Sequence, residues 1–397
     1  MKRFVWQFVA VFLVAINMRM TITGVGPLLD DIAASRGANA ATLGLLASIP
    51  LLTWAVVSPI AHDISAKLGM DRTITWSLVL LGAGTVVRSL SFSTMNLWIG
   101  TALIGIALAI ANVLMPAVVK RDFGPRTPAM MGVYSAALGG AAGIGTAIAI
   151  PVARTEVNGA PLGWEAGLLA SGFAIPFALV AWVLVSRLLH RATPETERAP
   201  APAPTGLGRR VWGSKTAWLL ALYMGTQSVS FYVLATWIVP ILLSRGVDEG
   251  LAGAGVTLFH IFGMTGSLVT PLLWRFDGRS LLQVALPTTL CISMTGLVFV
   301  PALTALWLIL LGLCGGSALS VSLTLIAQRS PDAHTASAAS GMSQSVGYLI
   351  AALGPVLFGF AHDLTGGWVL PLGVMVFALA VQFAAGWILR DGRMVKL

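Results

Sequence analysis

Arg19 is the residue best placed to do chemistry inside an apolar setting. It stands fifteen residues into an apolar run that begins at Phe4, or ~22 Å along a helix at 1.5 Å per residue. A guanidinium at that depth is costly unless it faces a bundle interior or a wet cavity. None of the fifteen acidic residues lies at its level; they fall in loops or at the ends of apolar runs, with Asp30 and Asp31 at the mouth of the same run. An arginine so placed suits an anionic or strongly electronegative ligand, because its planar fork matches such acceptors. A structural bond to backbone carbonyls or a helix end is the competing reading.

Asn17 precedes it by two residues, about 200° round a helix. It either braces a neighbouring helix or touches the ligand. Arg88 is the other arginine within an apolar run, as a helix pin or as a second positive charge. Tyr134, Tyr232 and Tyr348 also fall inside apolar runs, although tyrosine prefers interfaces. A shared polar cavity accounts for their hydroxyls; single hydrogen bonds in a core are the alternative. Gln227 and Trp237 flank Tyr232, and Trp237 is a gate, a stacking face for a planar ligand, or ordinary packing. Asn112 and Gln344 are amides in apolar runs. His260 is read as the intramembrane group that titrates near neutral pH, which makes it a candidate proton carrier or a satisfied core histidine. The strip "LGGAAGIG" (138–145), with Gly139 and Gly143 four apart, is expected to be a close-packing surface. "KRDFGPR" (120–126) is either a clasp at the inner mouth or a basic loop.

These residues need helices that cross a bilayer. The 397-residue chain is 57% hydrophobic and 10% charged, with a mean hydropathy of +0.87. Soluble proteins carry ~25% charged residues. The apolar residues come in blocks of membrane-spanning length. Disorder, nucleic-acid binding and a secreted disulfide scaffold are excluded. Twelve spans are expected, at 4–30, 42–62, 73–92, 96–119, 128–153, 165–188, 215–243, 250–273, 280–300, 303–328, 336–361 and 367–389. Lys2-Arg3 before an apolar run resembles a signal peptide, but no small-x-small site closes it, so it reads as the first membrane helix. Cys291 and Cys314 lie in spans and form no metal or redox spacing.

The only long polar stretch, "TPETERAPAPAPTGLGRR" (193–210), is too rich in Pro, Ala and charge to bury a core. The expected organisation is a six-helix bundle at 1–190, a linker at 191–214 and a second six-helix bundle at 215–397. With a cytoplasmic N-terminus, nineteen of the 24 basic residues face inward and three, Arg36, Arg154 and Arg245, face outward. That bias predicts that both termini and the linker are cytoplasmic, in the cell's inner membrane. The halves echo each other. Pro27 matches Pro240, Ser58-Pro59 matches Thr270-Pro271, Arg121 matches Arg329, and "MMGVYS" (130–135) matches "SGMSQS" (340–345). This predicts a parallel repeat with a site near mid-membrane, and it places Tyr232 at the position equivalent to Arg19.

Twelve spans, a central linker and repeated halves resemble the major facilitator superfamily. The strings "NMRMTITGVGPLLDDI" (17–32), "ANVLMPAVVKRDFGPR" (111–126), "GTQSVSFYVLATWIVPILLSRG" (225–246) and "SGMSQSVGYLIAALGPVLFGFAHDLTGGW" (340–368) resemble its cyanate-permease and nitroimidazole-transporter branch. The superfamily's loop motif between spans 2 and 3 survives here only in degenerate form, as Asp63, Gly69, Asp71 and Arg72. The resemblance implies a secondary transporter of small compounds, working by alternating access, with protons as a candidate coupling ion and a monomer expected. No cofactor is implied, and no P-loop string is present that would power a pump. An enzyme is disfavoured, since no acid pair, Ser/His/Asp group or metal cluster recurs at depth. A membrane sensor on the same scaffold is the remaining alternative.

Overall fold

A computed structural model of the chain describes residues 2–25, 28–36, 40–192, 206–275 and 279–396. They form helices α1 (Lys2–Thr23), α2 (Leu29–Arg36), α3 (Ala40–Leu68), α4 (Met70–Arg88), α5 (Thr94–Phe123), α6 (Thr127–Arg154), α7 (Gly163–Ala170), α8 (Ile175–Ala192), α9 (Leu207–Val211), α10 (Lys215–Leu243), α11 (Glu249–Arg275), α12 (Arg279–Phe299), α13 (Thr304–Gln328), α14 (Ala333–Thr365) and α15 (Val369–Leu389). Ten stretches of the described residues are long and apolar enough to cross a membrane, and one of them, Thr94–Arg154, holds both α5 and α6. With α4 added, the order matches the expected spans, in an all-α membrane fold.

Two spans differ from expectation. The first ends at Thr23 rather than at residue 30, because Gly24 closes α1 in a turn and α2 follows as a separate short helix. The sixth is two helices, α7 and α8, parted at Ser171–Ala174. Backbone freed at membrane depth must find partners, and here buried side chains supply them. Asn17 Nδ2 donates to the Ala174 carbonyl at 3.1 Å, and Ser171 Oγ donates to Leu168 O at 2.6 Å. Pro27 and residues 193–205 of the linker lie outside the described residues.

The chain divides into two compact units. The first comprises Met1–Val118 and Ala137–Gly206. In it α8 packs on α1 and α4, and α7 on α4 and α2. A small apolar cluster of Leu28, Ile32, Leu97, Ala153, Trp164 and Leu168 sits under α2 and α7. Between α6 and α7 a two-residue hairpin pairs Glu156–Val157 with Ala160–Pro161. Its turn, Asn158-Gly159, has positive φ at both positions (56° and 80°), the twist that such tight hairpins need.

The second unit comprises Val119–Ala136 and Leu207–Leu397. Here α14 lies along α10, α11 along α13, and α12 against α13 and α15. Glycines set the α11–α13 crossing. A Cβ on Gly316 would overlap the Gly263 carbonyl, one on Gly312 the Phe259 carbonyl, and one on Gly266 the Leu313 carbonyl. The same approach lets Ser267 Oγ donate to Gly316 O and Ser317 Oγ to Gly266 O, both at 3.0 Å. The close-packing GxxxG pair is therefore Gly312 and Gly316. Among the described residues, Gly139 and Gly143 have no atom within 4 Å of an added Cβ. Gly145, at the end of the strip, packs on Met20 of α1. Asp332 caps α14, its Oδ1 accepting from Thr335 N at 2.8 Å, and Gly366 ends that helix in the left-handed conformation at φ 63°.

Residues 119–136 pack within the second unit. Lys120 Nζ donates to the carbonyls of Ala327, at 2.7 Å, and Ser330, both at the C-terminal end of α13. At Gly132 an added Cβ would overlap Pro271 and the Ser267 carbonyl of α11. The last carbonyls of a helix lack intrahelical partners and carry the negative end of its dipole. Replacing Lys120 by Met strands them. We expect Lys120→Met to lower the unfolding free energy of purified protein by about 1–3 kcal/mol, read as a fall in melting temperature in detergent. Unchanged melting would show that these bonds are made equally well by water.

Candidate functional site

Cations in this chain outnumber acids, 24 to 15, and the structure shows where several are used. Arg88 is 1% exposed, with Nη1 2.8 Å from Thr21 O in the last turn of α1 and Nη2 3.4 Å from Ser171 Oγ. Arg36 Nη2 donates to Ser91 O, just past α4, at 2.9 Å. Arg245 donates to Val298 O in the last turn of α12. Arg329 donates to Leu389 O, the last residue of α15, at 3.0 Å, and burial there pulls its guanidinium below the usual arginine range. With Lys120, that makes five cations on carbonyls at or just beyond helix C-termini. The dipole favours positive charge at those ends, and the donors satisfy orphan acceptors.

Arg19 is placed differently. It sits within α1 on the less buried stripe shared with Phe12, Ile16 and Thr23, while Val11, Val14, Ala15 and Met18 face the core. Its guanidinium carbon lies 5.7 Å from the centre of the Trp54 ring. Trp54 belongs to α3 and is 1% exposed. An indole face attracts a cation through its quadrupole. The sequence reading missed Trp54. The available signal was an arginine at depth with no acid at its level, which calls for an aromatic face nearby.

The other residues singled out from the sequence fall as follows. In the first unit, Asn17 is fully buried and its amide nitrogen serves Leu13 O and Ala174 O. Asn112 is buried on α5. In the second, Tyr134 is buried near the start of α6. Gln227 is buried, with Nε2 2.8 Å from Ser228 Oγ and 3.6 Å from Met224 Sδ. Gln344 Nε2 approaches Ser340 Oγ at 3.4 Å, and Tyr348 is buried one turn further along α14.

Trp237 is held firmly. Its Nε1 donates to Pro355 O at 3.3 Å, and its ring meets Phe358, His362 and Trp368 at 5.7–6.2 Å. Tyr232 and His260 both flank Phe231, at ring distances of 5.4 and 6.1 Å, so α10 and α11 bring them to one aromatic patch. The Tyr232 hydroxyl is buried without a hydrogen-bond partner among the described residues.

Two readings need correction. His260 does not stand alone as a histidine in the apolar spans: His62 lies in Ile49–Leu68 at 2% exposure, and His362 lies in Ala333–Thr365. Tyr223 is a fourth tyrosine within a span, fully buried in α10. His62 and His362 stand near span ends, where a residue reads as interfacial until helix length is known. Among the described residues, no group of three His, Cys, Asp or Glu side chains is placed to hold a metal ion.

Residues 8–355 match the family model described as Major Facilitator Superfamily. The chain is 37% identical over 364 residues to the 2-nitroimidazole transporter of Escherichia coli (strain K12), covering 91% of this chain and 89% of that protein. It is 28% identical over 364 residues to the cyanate transport protein CynX of the same organism, covering 90% of each. Among solved structures, the proton:xylose symporter XylE aligns with a TM-score of 0.77 at 12% identity, over 98% of this chain and 97% of that one. That family consists of transporters and not enzymes. The chain is a multi-pass membrane protein that belongs to the major facilitator superfamily, on the branch that holds the 2-nitroimidazole and cyanate transporters.

Proposed function

We propose that this protein moves a small anionic or electronegative compound, planar heteroaromatics included, across the cell's inner membrane by alternating access, with Arg19 as the anchor for the cargo. One observation carries the anchor. Arg19 is a half-buried cation over an aromatic face inside a spanning helix. An indole face attracts a cation through its quadrupole and brings no negative charge of its own to the place where an anion would bind. The names of the relatives support the cargo class, since 2-nitroimidazole is flat and electronegative and cyanate is a small anion. The protein acts as a monomer, with bundles at 1–190 and 215–397 joined by a cytoplasmic linker at 191–214, and with both termini cytoplasmic on the bias of basic residues.

Counterflow tests the proposal. Purified protein in liposomes preloaded with unlabelled 2-nitroimidazole or cyanate should take up the labelled compound transiently above equilibrium, and do so saturably. Absence of counterflow with both compounds and with a panel of small anions and heteroaromatics would remove the transport reading for this cargo class.

A further inference from the structure

The turn from α9 into α10 gathers positive charge on a rigid frame. It is closed by Gly213 N donating to Arg210 O at 3.0 Å and Ser214 N to Val211 O at 2.9 Å. Leu207 and Val211 are buried in the core of the second unit, while Arg209 and Arg210 stay exposed, as does Lys215 at the first residue of α10. No acid stands between Glu197 and Asp248 in the sequence. The start of α10 adds to this charge. Its first N–H groups have no intrahelical partners, and its first turn carries no acid. Its N-cap, Ser214, is 6% exposed, yet its side chain makes no bond to that turn. An uncapped positive pole ringed by three cations calls for an anion.

The same elbow is aromatic. Trp212 and Trp218 meet edge to face at 5.8 Å, and Trp218 Nε1 donates to Trp212 O at 2.9 Å. Both rings are exposed. On α15, which packs along α10, Phe383 and Trp387 stack at 6.1 Å, and the Arg390 guanidinium carbon lies 4.3 Å from the centre of the Trp387 ring. An added Cβ on Gly386 would meet Tyr223 of α10 at 3.1 Å, so the last turns of α15 flank the first turns of α10. Exposed indoles at the ends of spanning helices mark the level where acyl chains meet headgroups.

We propose that this elbow is a binding site for an anionic phospholipid: Arg209, Arg210 and Lys215 take the headgroup phosphate against the start of α10, and Trp212 and Trp218 flank the upper acyl chains. Basic clusters beside a membrane helix attract anionic headgroups. A loose basic loop would serve topology equally well. Here Leu207 and Val211 anchor the arginines to the core, so less freedom is lost when a headgroup binds. The exposed indoles select a lipid over free phosphate, which has no apolar part to lie against them. The site depends neither on the cargo nor on Arg19.

The test uses the full-length protein in detergent, titrated with phosphatidylglycerol or phosphatidylethanolamine, with retained lipid counted by native mass spectrometry. We expect wild type to hold phosphatidylglycerol about tenfold more tightly, and Arg209→Gln/Arg210→Gln to lose that preference. Lys67→Gln/Arg72→Gln removes the same charge from exposed positions on either side of the α3–α4 turn, and should keep the preference. Elution like wild type on size-exclusion chromatography shows that lost binding is not lost fold, as expected for substitutions at exposed positions. Inorganic phosphate at the same concentration should not displace the lipid. Equal retention of the two lipids by wild type overturns the proposal by itself. So does equal loss in both double variants, or displacement by inorganic phosphate.

Discussion

Arg19→Ala should leave a folded protein in the membrane that transports at least about a hundredfold more slowly than wild type, since two charge-assisted hydrogen bonds to a desolvated anion are worth roughly 3–6 kcal/mol. The fold should survive because Arg19 lies on the less buried stripe of α1, and truncation there opens no sealed cavity. Losing the contact with Trp54 costs α1 only a modest attraction. Arg19→Lys should recover part of the rate, because the ammonium keeps the charge but not the planar fork. The quantities to compare are initial uptake in liposomes and melting temperature in detergent. Wild-type uptake by Arg19→Ala, at equal protein in the bilayer, would end the anchor assignment. A collapse in melting temperature would instead mark Arg19 as a structural cation.

Gly316→Val should have the largest effect on stability. Even a single Cβ at that position overlaps the Gly263 carbonyl, and valine adds two methyl groups. Relief demands that α11 and α13 separate, which breaks the bonds from Ser267 to Gly316 O and from Ser317 to Gly266 O. Overpacking alone costs about 1–3 kcal/mol, and each broken buried bond adds roughly 1 kcal/mol. We expect little folded protein on size-exclusion chromatography in detergent. Gly139→Val is the control: among the described residues no atom lies within 4 Å of an added Cβ there, so it should elute like wild type. Equal behaviour of the two variants would contradict the helix crossing.

The membrane fold was legible because apolar blocks of spanning length are separated by short basic loops, a pattern with few alternatives. Local detail was less so, and for specific reasons. Gly24 ends α1 early, and Ser171–Ala174 splits the sixth span, yet glycine and serine are common in intact membrane helices and give no warning. The pair Gly139–Gly143 has the same spacing as Gly312–Gly316, and only tertiary structure tells which face another helix meets. Arg19 was legible by rarity. Trp54 was not, because the chain holds 13 tryptophans and only the packing of α1 near α3 selects one. Nor could the sequence give the partners of Arg88 and Asn17, which bond to Thr21 O and Ser171 Oγ and to Leu13 O and Ala174 O within their own unit.

The elbow between α5 and α6 carries a consequence for how the protein is made. Lys120 reaches the end of α13 across 207 residues of sequence. Translation runs at about 5–20 residues per second, so the elbow waits roughly ten to forty seconds in the nascent chain before its partner helix exists. Throughout that interval a lysine and a glycine-lined helix start stand without the surfaces that cover them. Insertion of the early helices therefore cannot complete the early half. The elbow is covered only once α11 and α13 arrive beneath it, and a chain interrupted before α13 leaves it uncovered.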